Sequence, residues 1–461
     1  MEENDSESQN QIHKKEKEKL NTPIDPYISR KKIIYCSFAF NGLVNNLGYV
    51  LIITSAQQFA SKLNNDKLIA FYPLALILFN SISRFINSKF CITVTYFKRA
   101  LGLSIYFGFG YLFLFVILTI IDKSEDFNQT LAFLLTLIPA VIMGTGQSFG
   151  EATFLGYIRT FPEDYVSGWS SGTGLAGVFG ASLSLIFKLI KEKFDLKNLY
   201  LIISPITILY FLSFYLTYRI KKNIDDKNRL IKEKEGEEEE EREDEEGQKT
   251  DIRNNKSLPE RPSDLLKTDN NNIATDVSKN KKMSFTNFPI GFRYGKRYIL
   301  NMFLVYFLEY TVCSGFSERT NYFKYVDSKD MFFEKGQYET FLLCYQVGVV
   351  ISRSSLFIFK FLTFVELLNI FQLINFIFWL IEAKTGFIAN QWLCFSSLIF
   401  LGLCGGGVYV GCFYFILNNN KIPPEYKELC LNIGTIFNDC GVLLSSIVCI
   451  IVDNTIMKSK D

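Results

Sequence analysis

Runs of about twenty mostly apolar residues, separated by short polar stretches, recur along this 461-residue chain. A helix needs roughly that many residues to cross a hydrocarbon core about 30 Å thick. The pattern predicts about eleven spans, at 33–61, 68–90, 100–121, 131–158, 167–190, 198–220, 298–318, 337–360, 362–382, 391–417 and 430–456. Several are longer than a bilayer requires, which predicts tilt or extension beyond it. The second has the weakest pattern, because Asn80, Arg84 and Asn87 interrupt its apolar run.

The polar stretches divide the spans into six and five. Residues 1–32 are charged, with no apolar core that would make a cleavable signal, so the first span itself is expected to direct insertion. Residues 221–297 include the acidic run Glu237 to Glu246 and few apolar residues, and such a segment cannot offset the entropy of ordering. The expected organisation is a disordered cytosolic tail (1–32), a six-helix half (33–220), a disordered acidic cytosolic loop (221–297), a five-helix half (298–456) and a luminal tail (457–461). This is an all-α polytopic bundle laid out like a two-halved carrier of the major facilitator type, one span short of twelve. No sequence repeat relates the halves. Lys31, Lys32, Lys89, Lys98 and Arg99 gather on one side of the spans, which places the N-terminus in the cytosol. Lys191, Lys193 and Lys197 run mildly against that rule.

Composition removes several functions. The formal charge of +2 is near zero and segregated into the tail and loop, so nothing points to nucleic acid. The sole histidine, His13, lies in the polar tail, which excludes a histidine proton relay and membrane enzymes that need an intramembrane histidine. The ten cysteines form no CxxC pair, so neither metal nor redox cofactor is expected. No GxxxxGK[ST] phosphate loop is present, and ATP driving is not expected.

Charge inside a membrane helix costs at least a few kcal/mol and usually faces a cavity or a partner. Glu151, Glu309, Arg353 and Asp439 are such residues, and helical spacing gives them polar companions. Gln147 and Ser148 share a face with Glu151, Tyr306 and Tyr310 flank Glu309, and Gln346 lies two turns before Arg353. Asn45, with Asn41 and Asn46, adds amides from the first span. Two readings stand. Either these residues line a cavity for substrate or protons, or Glu151 or Asp439 pairs with Arg353 or Arg84 as a structural clasp. Proton coupling would fall to Glu309 or Glu151, and Arg353 has the planar fork that suits a phosphate or carboxylate.

Gly168, Gly172, Ala176, Gly180 and Ser184 recur every four residues, as do the pairs Gly146/Gly150, Gly402/Gly406 and Gly407/Gly411. Such faces let helices approach closely. Asp226, Leu230 and Ile231 fit an acidic dileucine pattern read by trafficking adaptors, and Asn128 opens a sequon in a loop expected to be luminal.

Gly150-Glu-Ala-Thr-Phe-Leu155 and Ser167-Gly-Trp-Ser-Ser-Gly-Thr-Gly-Leu-Ala-Gly177 resemble the GEVTFL and SWWSSGTGGAG blocks of the battenin family. Tyr345 to Leu356 resembles YQAGVFASRSSL, Val305 to Tyr310 resembles VYFAEY, Asn45 to Val50 resembles NNFSYV, and Gly402 to Val410 echoes LLGGAAYV. The resemblance covers nearly all spans but neither the tail nor the loop. It implies a lysosomal, late-endosomal or vacuolar membrane protein with a facilitator-like fold. It also implies links to clearance of glycerophosphodiesters, to basic amino acid transport and to organelle pH. The motif residues carried over are Glu151, Gly168, Trp169, Ser170, Ser171, Gly172, Thr173, Glu309, Gln346 and Arg353. Two departures stand out. Leu78 and Phe79 follow Pro73 where battenin has a lysine, with Arg84 further on, and Lys458 to Asp461 does not match the prenylation box of animal members.

The expectation is a carrier of glycerophosphodiesters or related small anions working by alternating access, with protons as a second partner and lipid around it. The alternatives are a basic amino acid carrier and a non-transporting scaffold that acts through the cytosolic loop.

Overall fold

The computed structural model describes residues 27–63, 69, 71–123, 128–161, 165–190, 195–251, 286–320, 331–355, 364–388 and 390–454. The expected tail over 1–26, the middle of the loop over 252–285 and the last residues 455–461 lie outside them.

Every crossing is helical. In the first half these are α1 (Lys31–Lys62), α2 (Phe71–Ile77), α3 (Asn80–Lys89), α4 (Tyr96–Lys123), α5 (Gln129–Ile158), α6 (Tyr165–Leu189), α7 (Leu196–Ile203) and α8 (Ile206–Asp251). The second half holds α9 (Asn287–Thr311), α10 (Met331–Ser354), α11 (Val365–Thr385), α12 (Gln391–Asn418) and α13 (Pro424–Asn454). Nine helices among the described residues are long and apolar enough to cross a membrane. The broken pair α2–α3 and the more polar α10 lie where the sequence pattern places two further spans. On α4, Ile105, Phe109, Leu112, Val116 and Ile120 all point outward, an apolar stripe suited to lipid.

Two boundaries differ from expectation. The second span is two helices that part at Leu78–Phe79. Backbone freed inside a membrane must be satisfied locally. Ser148 on α5 donates to the Asn80 carbonyl at 3.1 Å. The Asn80 amide, turned with its nitrogen inward, donates to the Leu76 and Gly144 carbonyls at 2.9 Å. Gly144 permits this, since a Cβ there would stand 1.7 Å from the Leu76 oxygen. The second difference is the loop. Helix α8 runs on past residue 220 to Asp251, and α9 begins at Asn287 rather than near 298. Glu, Lys and Arg are good helix formers, and pairs one turn apart, Lys221–Asp225 at 3.2 Å and Arg229–Glu233 at 3.3 Å, add to it.

Contacts group residues 37–215 with 263–461 into one compact unit, and residues 1–36 with 216–262 into another. The first contains both halves of the bundle. In the second, the sorting-type residues Asp226, Leu230 and Ile231 lie on the α8 helix, with Leu230 exposed.

Within the large unit, glycines set the helix spacing. Gly172 and Gly180 bring α6 against Ala39 and Val50 of α1, while Gly174 and Gly177 bring its other side against Val350 and Gln346 of α10. Gly348 and Gly402 seat α10 on α12. A Cβ on Gly348 would lie 2.1 Å from the Ile399 carbonyl, which is backbone and cannot swing aside. Gly348→Ala is therefore expected to cost about 1–3 kcal/mol, read as a lower melting temperature of the purified protein. The halves meet along α6–α10 and along α2–α3 against α13.

At the end of the bundle marked by Lys62, four charges tie α1, α4 and α7 together. Lys62 lies 2.6 Å from Asp122 and 3.2 Å from Asp195, and Lys197 lies 2.8 and 3.3 Å from the same two acids. Partial burial favours the neutral acid at Asp195, but its contact with Asp122 and the two ammonium groups outweigh that and hold it at about 2. A carboxyl lowered this way adds stability above its unfolded value of about 3.9 and loses it only as the pH falls through the folded one. The melting-temperature gap between the native chain and Asp195→Asn should thus be equal at about pH 7 and about pH 5, and narrow progressively as the pH falls from about 4 to about 2.

Asn128 caps α5. Its side-chain oxygen accepts from the Thr130 and Leu131 amides at 2.9 and 3.1 Å.

Candidate functional site

Between the halves lies a polar cavity of about 80 Å³. It is lined from α1 by Asn46 and Tyr49, from α3 by Arg84, from α5 by Gln147 and Glu151, and from α6 by Thr173. The second half contributes Tyr306 and Tyr310 (α9), Arg353 (α10), Tyr409 (α12), and Asn438 and Asp439 (α13). Small-molecule pockets usually run to about 300–1,000 Å³, so in this form the cavity has room for water but not for a metabolite.

Two arginines face this space in different circumstances. Arg84 is held by two carboxylates from different halves: its Nη2 lies 2.8 Å from Glu151 and its Nε 3.0 Å from Asp439. Glu151 is then saturated, because its other oxygen accepts from the Tyr409 hydroxyl at 2.9 Å. Arg353 has no carboxylate within ion-pair distance among the described residues. Its Nη1 donates to Thr173 at 3.1 Å, its Nη2 to the Tyr306 hydroxyl at 3.3 Å, and its guanidinium stands 4.5 Å over the Tyr409 ring. Its Nε is buried without a partner. A guanidinium stacked on an aromatic and oriented by hydroxyls keeps its charge available for an anion.

The sequence candidates separate into three groups. Glu151, Asp439 and Arg353 line the cavity. Asn45 and Gln346 do not; they face neighbouring helices. Asn45 donates to the Gln147 carbonyl at 3.0 Å, accepts from Tyr210 at 3.2 Å and fills the space beside Gly150. Its neighbour Asn46 is the lining residue and accepts from Gln147 at 3.0 Å. Gln346 lies against Gly177, where a Cβ would come within 1.8 Å of its Oε1.

Glu309 forms the third group. It is buried beside the cavity rather than in it, one oxygen accepting from the Tyr345 hydroxyl and the other without a partner. Gly405 leaves room for that bare oxygen, and the backbone beyond Thr311 widens into a π turn at Val312–Phe316. Such turns within α-helices often mark functional segments. An ionised carboxylate with an unpaired oxygen is costly to bury; a neutral carboxylic acid costs far less.

Of the motif residues, Gly168, Trp169 and Gly172 are packed, with Trp169 stacked on Phe154 at 5.1 Å. Thr173 reaches Arg353, while Ser170 has a buried hydroxyl with no partner and Ser171 is half-buried. Sequence analysis missed Tyr49, Tyr409 and Asn438. Tyr49 is one turn beyond Asn45 and Asn46, a spacing that could have revealed it. Tyr49 donates to Tyr310 across the halves at 3.3 Å.

With this geometry in view, the likeness to known proteins becomes informative. The profile of the family described as CLN3 protein matches residues 36–459. The chain belongs to the battenin (CLN3) family. It is 29% identical over 451 residues to Battenin of Dictyostelium discoideum, covering 92% of this chain and 95% of that one. Protein BTN1 of Candida glabrata is 26% identical, with 94% and 97% covered. Among solved structures, a bacterial homologue of the human lysosomal transporter Spinster superposes with TM-score 0.53 at 11% identity, covering 92% of this chain and 82% of that one. The D-xylose–proton symporter gives TM-score 0.53 at 10% identity, with 92% and 90% covered. At such identity the likeness concerns the fold. This battenin-family chain is a multi-pass membrane protein with a major-facilitator-like fold, as the sequence pattern and the resemblance predicted.

Proposed function

We propose that this chain is a carrier of glycerophosphodiesters or related small monoanions, moving them across a lysosomal, late-endosomal or vacuolar membrane by alternating access. The observation that carries the reading is Arg353, a guanidinium at a cavity between two halves with no carboxylate in ion-pair distance among the described residues. One guanidinium beside the hydroxyls of Thr173 and Tyr306 matches a phosphodiester, which bears one charge and offers oxygens in a plane that a fork can meet.

Charge balance extends the reading to protons. The cavity holds Arg84 and Arg353 against Glu151 and Asp439, which sum to zero. A bound monoanion makes it −1, and an acid beside the cavity that stayed ionised would make it −2, so a proton carried on that acid halves the charge that crosses. Glu309 is our choice for that acid, since its surroundings suit the neutral form. The basic amino acid alternative needs free carboxylates at the cavity, and the two there are engaged by Arg84. The orientation we adopt puts Arg159 and Arg353 toward the cytosol and Lys62 toward the lumen.

The test is metabolite profiling of the organelles from cells lacking the protein, rescued with the native chain, Arg353→Ala, or a deletion of residues 232–285. A carrier predicts that glycerophosphodiesters accumulate, that the native chain and the deletion clear them, and that Arg353→Ala does not. Clearance that needs the loop but not Arg353 would make the chain a scaffold.

A further inference from the structure

Beyond the cavity at each end, contacts join the halves, and the two sets are built differently. At the Lys62 end, Lys188 of α6 lies 2.9 Å from Glu339 of α10, whose side chain is 0% exposed. Gln58 of α1 donates to the other Glu339 oxygen at 3.2 Å and to Ser184 at 3.3 Å, and Gln57 accepts from Lys188 at 3.0 Å. From Thr173 to Lys188 is fifteen residues, or roughly 22 Å of helix, so the pair stands well away from the cavity. The stretch between is closed by Gly174 on Val350, Gly177 on Gln346 and Gly336 on Leu185. At the opposite end, an ion pair between Arg159 and Glu428 also joins the halves, but its side chains are 33% and 36% exposed. An exposed pair contributes little, whereas parting a buried one leaves a charge without a partner.

We infer that Lys188, Glu339 and Gln58 form the latch that must open for the cavity to reach the Lys62 side, and that the Arg159 side opens more readily. None of the three touches the cavity, so their role is to set which side it faces. The inference rests on the alternating-access reading but not on the identity of the substrate.

The experiment introduces Val442→Cys, a cavity-lining reporter, into the full chain in sealed vesicles of known orientation. Its modification by a membrane-impermeant maleimide is followed by fragment masses that place the adduct at position 442 rather than at the native Cys440 two residues away, and needs no substrate. Lys188→Glu or Glu339→Lys alone is expected to raise modification from the Lys62 side severalfold, and the two together to return it to the parent level. Gln58→Leu, which leaves the ion pair in place, should give a smaller rise and covers the case in which a charge reversal does not fold. Unchanged modification in folded single variants, or a double variant no nearer the parent than the singles, would overturn the latch. If the latch holds and no phosphodiester is moved, the fault lies with the substrate reading instead.

Discussion

Replacing Arg353 with alanine is expected to lower phosphodiester transport on the order of 100-fold or more. Removing one partner of a desolvated charge pair typically costs about 2–5 kcal/mol, and each 1.4 kcal/mol is tenfold. The fold should survive the change. Arg353 is bound by Thr173 and the Tyr306 hydroxyl and lies over the Tyr409 ring, so its loss breaks no ion pair among the described residues. Arg353→Lys keeps the charge but loses the fork and the stacking, and should fall between the two. Initial rates of labelled glycerophosphodiester uptake into vesicles, with protein content matched, read all three. Equal rates for the native chain and Arg353→Ala would remove Arg353 from the site.

The second large effect is on stability and falls on the other arginine. Arg84→Met leaves Glu151 and Asp439 buried with no cation between them, and breaking such a pair costs about 3–5 kcal/mol. The expected result is a protein that is poorly exported or melts early in detergent. Neutralising all three positions, Arg84→Met with Glu151→Gln and Asp439→Asn, should recover much of that stability, since no charge is left unpaired. If the triad is a clasp only, the triple variant also transports. If it folds and does not transport, Glu151 or Asp439 has a further role in the cycle.

These two arginines show what a sequence can carry. Both interrupt apolar runs, and the cost of intramembrane charge marks each as partnered or cavity-facing. Which of the two holds depends on a neighbour hundreds of positions away. Asp439 reaches Arg84 from the opposite half, and no periodicity within one helix encodes that pairing. The spans themselves were legible because hydrocarbon thickness acts on each run separately. The break at Leu78–Phe79 was not, because the groups that satisfy it, Ser148 and Gly144, come from another helix. The helical stretch to Asp251 was misjudged for a local reason: burial was weighed and helix propensity was not. Asn45 and Gln346 have polar side chains in apolar runs like the lining residues, yet a glycine opposite each draws it into a helix interface. Glu339 escaped notice because it lies near a span end, where charge is ordinary; only its burial against Lys188 sets it apart.

The most direct test of the anion-carrier account is exchange in proteoliposomes of the purified chain, loaded with unlabelled glycerophosphodiester and given the labelled compound outside, with lysine as the competing substrate. The account predicts exchange of the phosphodiester by the native chain, its loss in Arg353→Ala, and no exchange of lysine. Lysine exchange without phosphodiester exchange, or phosphodiester exchange undiminished in Arg353→Ala, would contradict it.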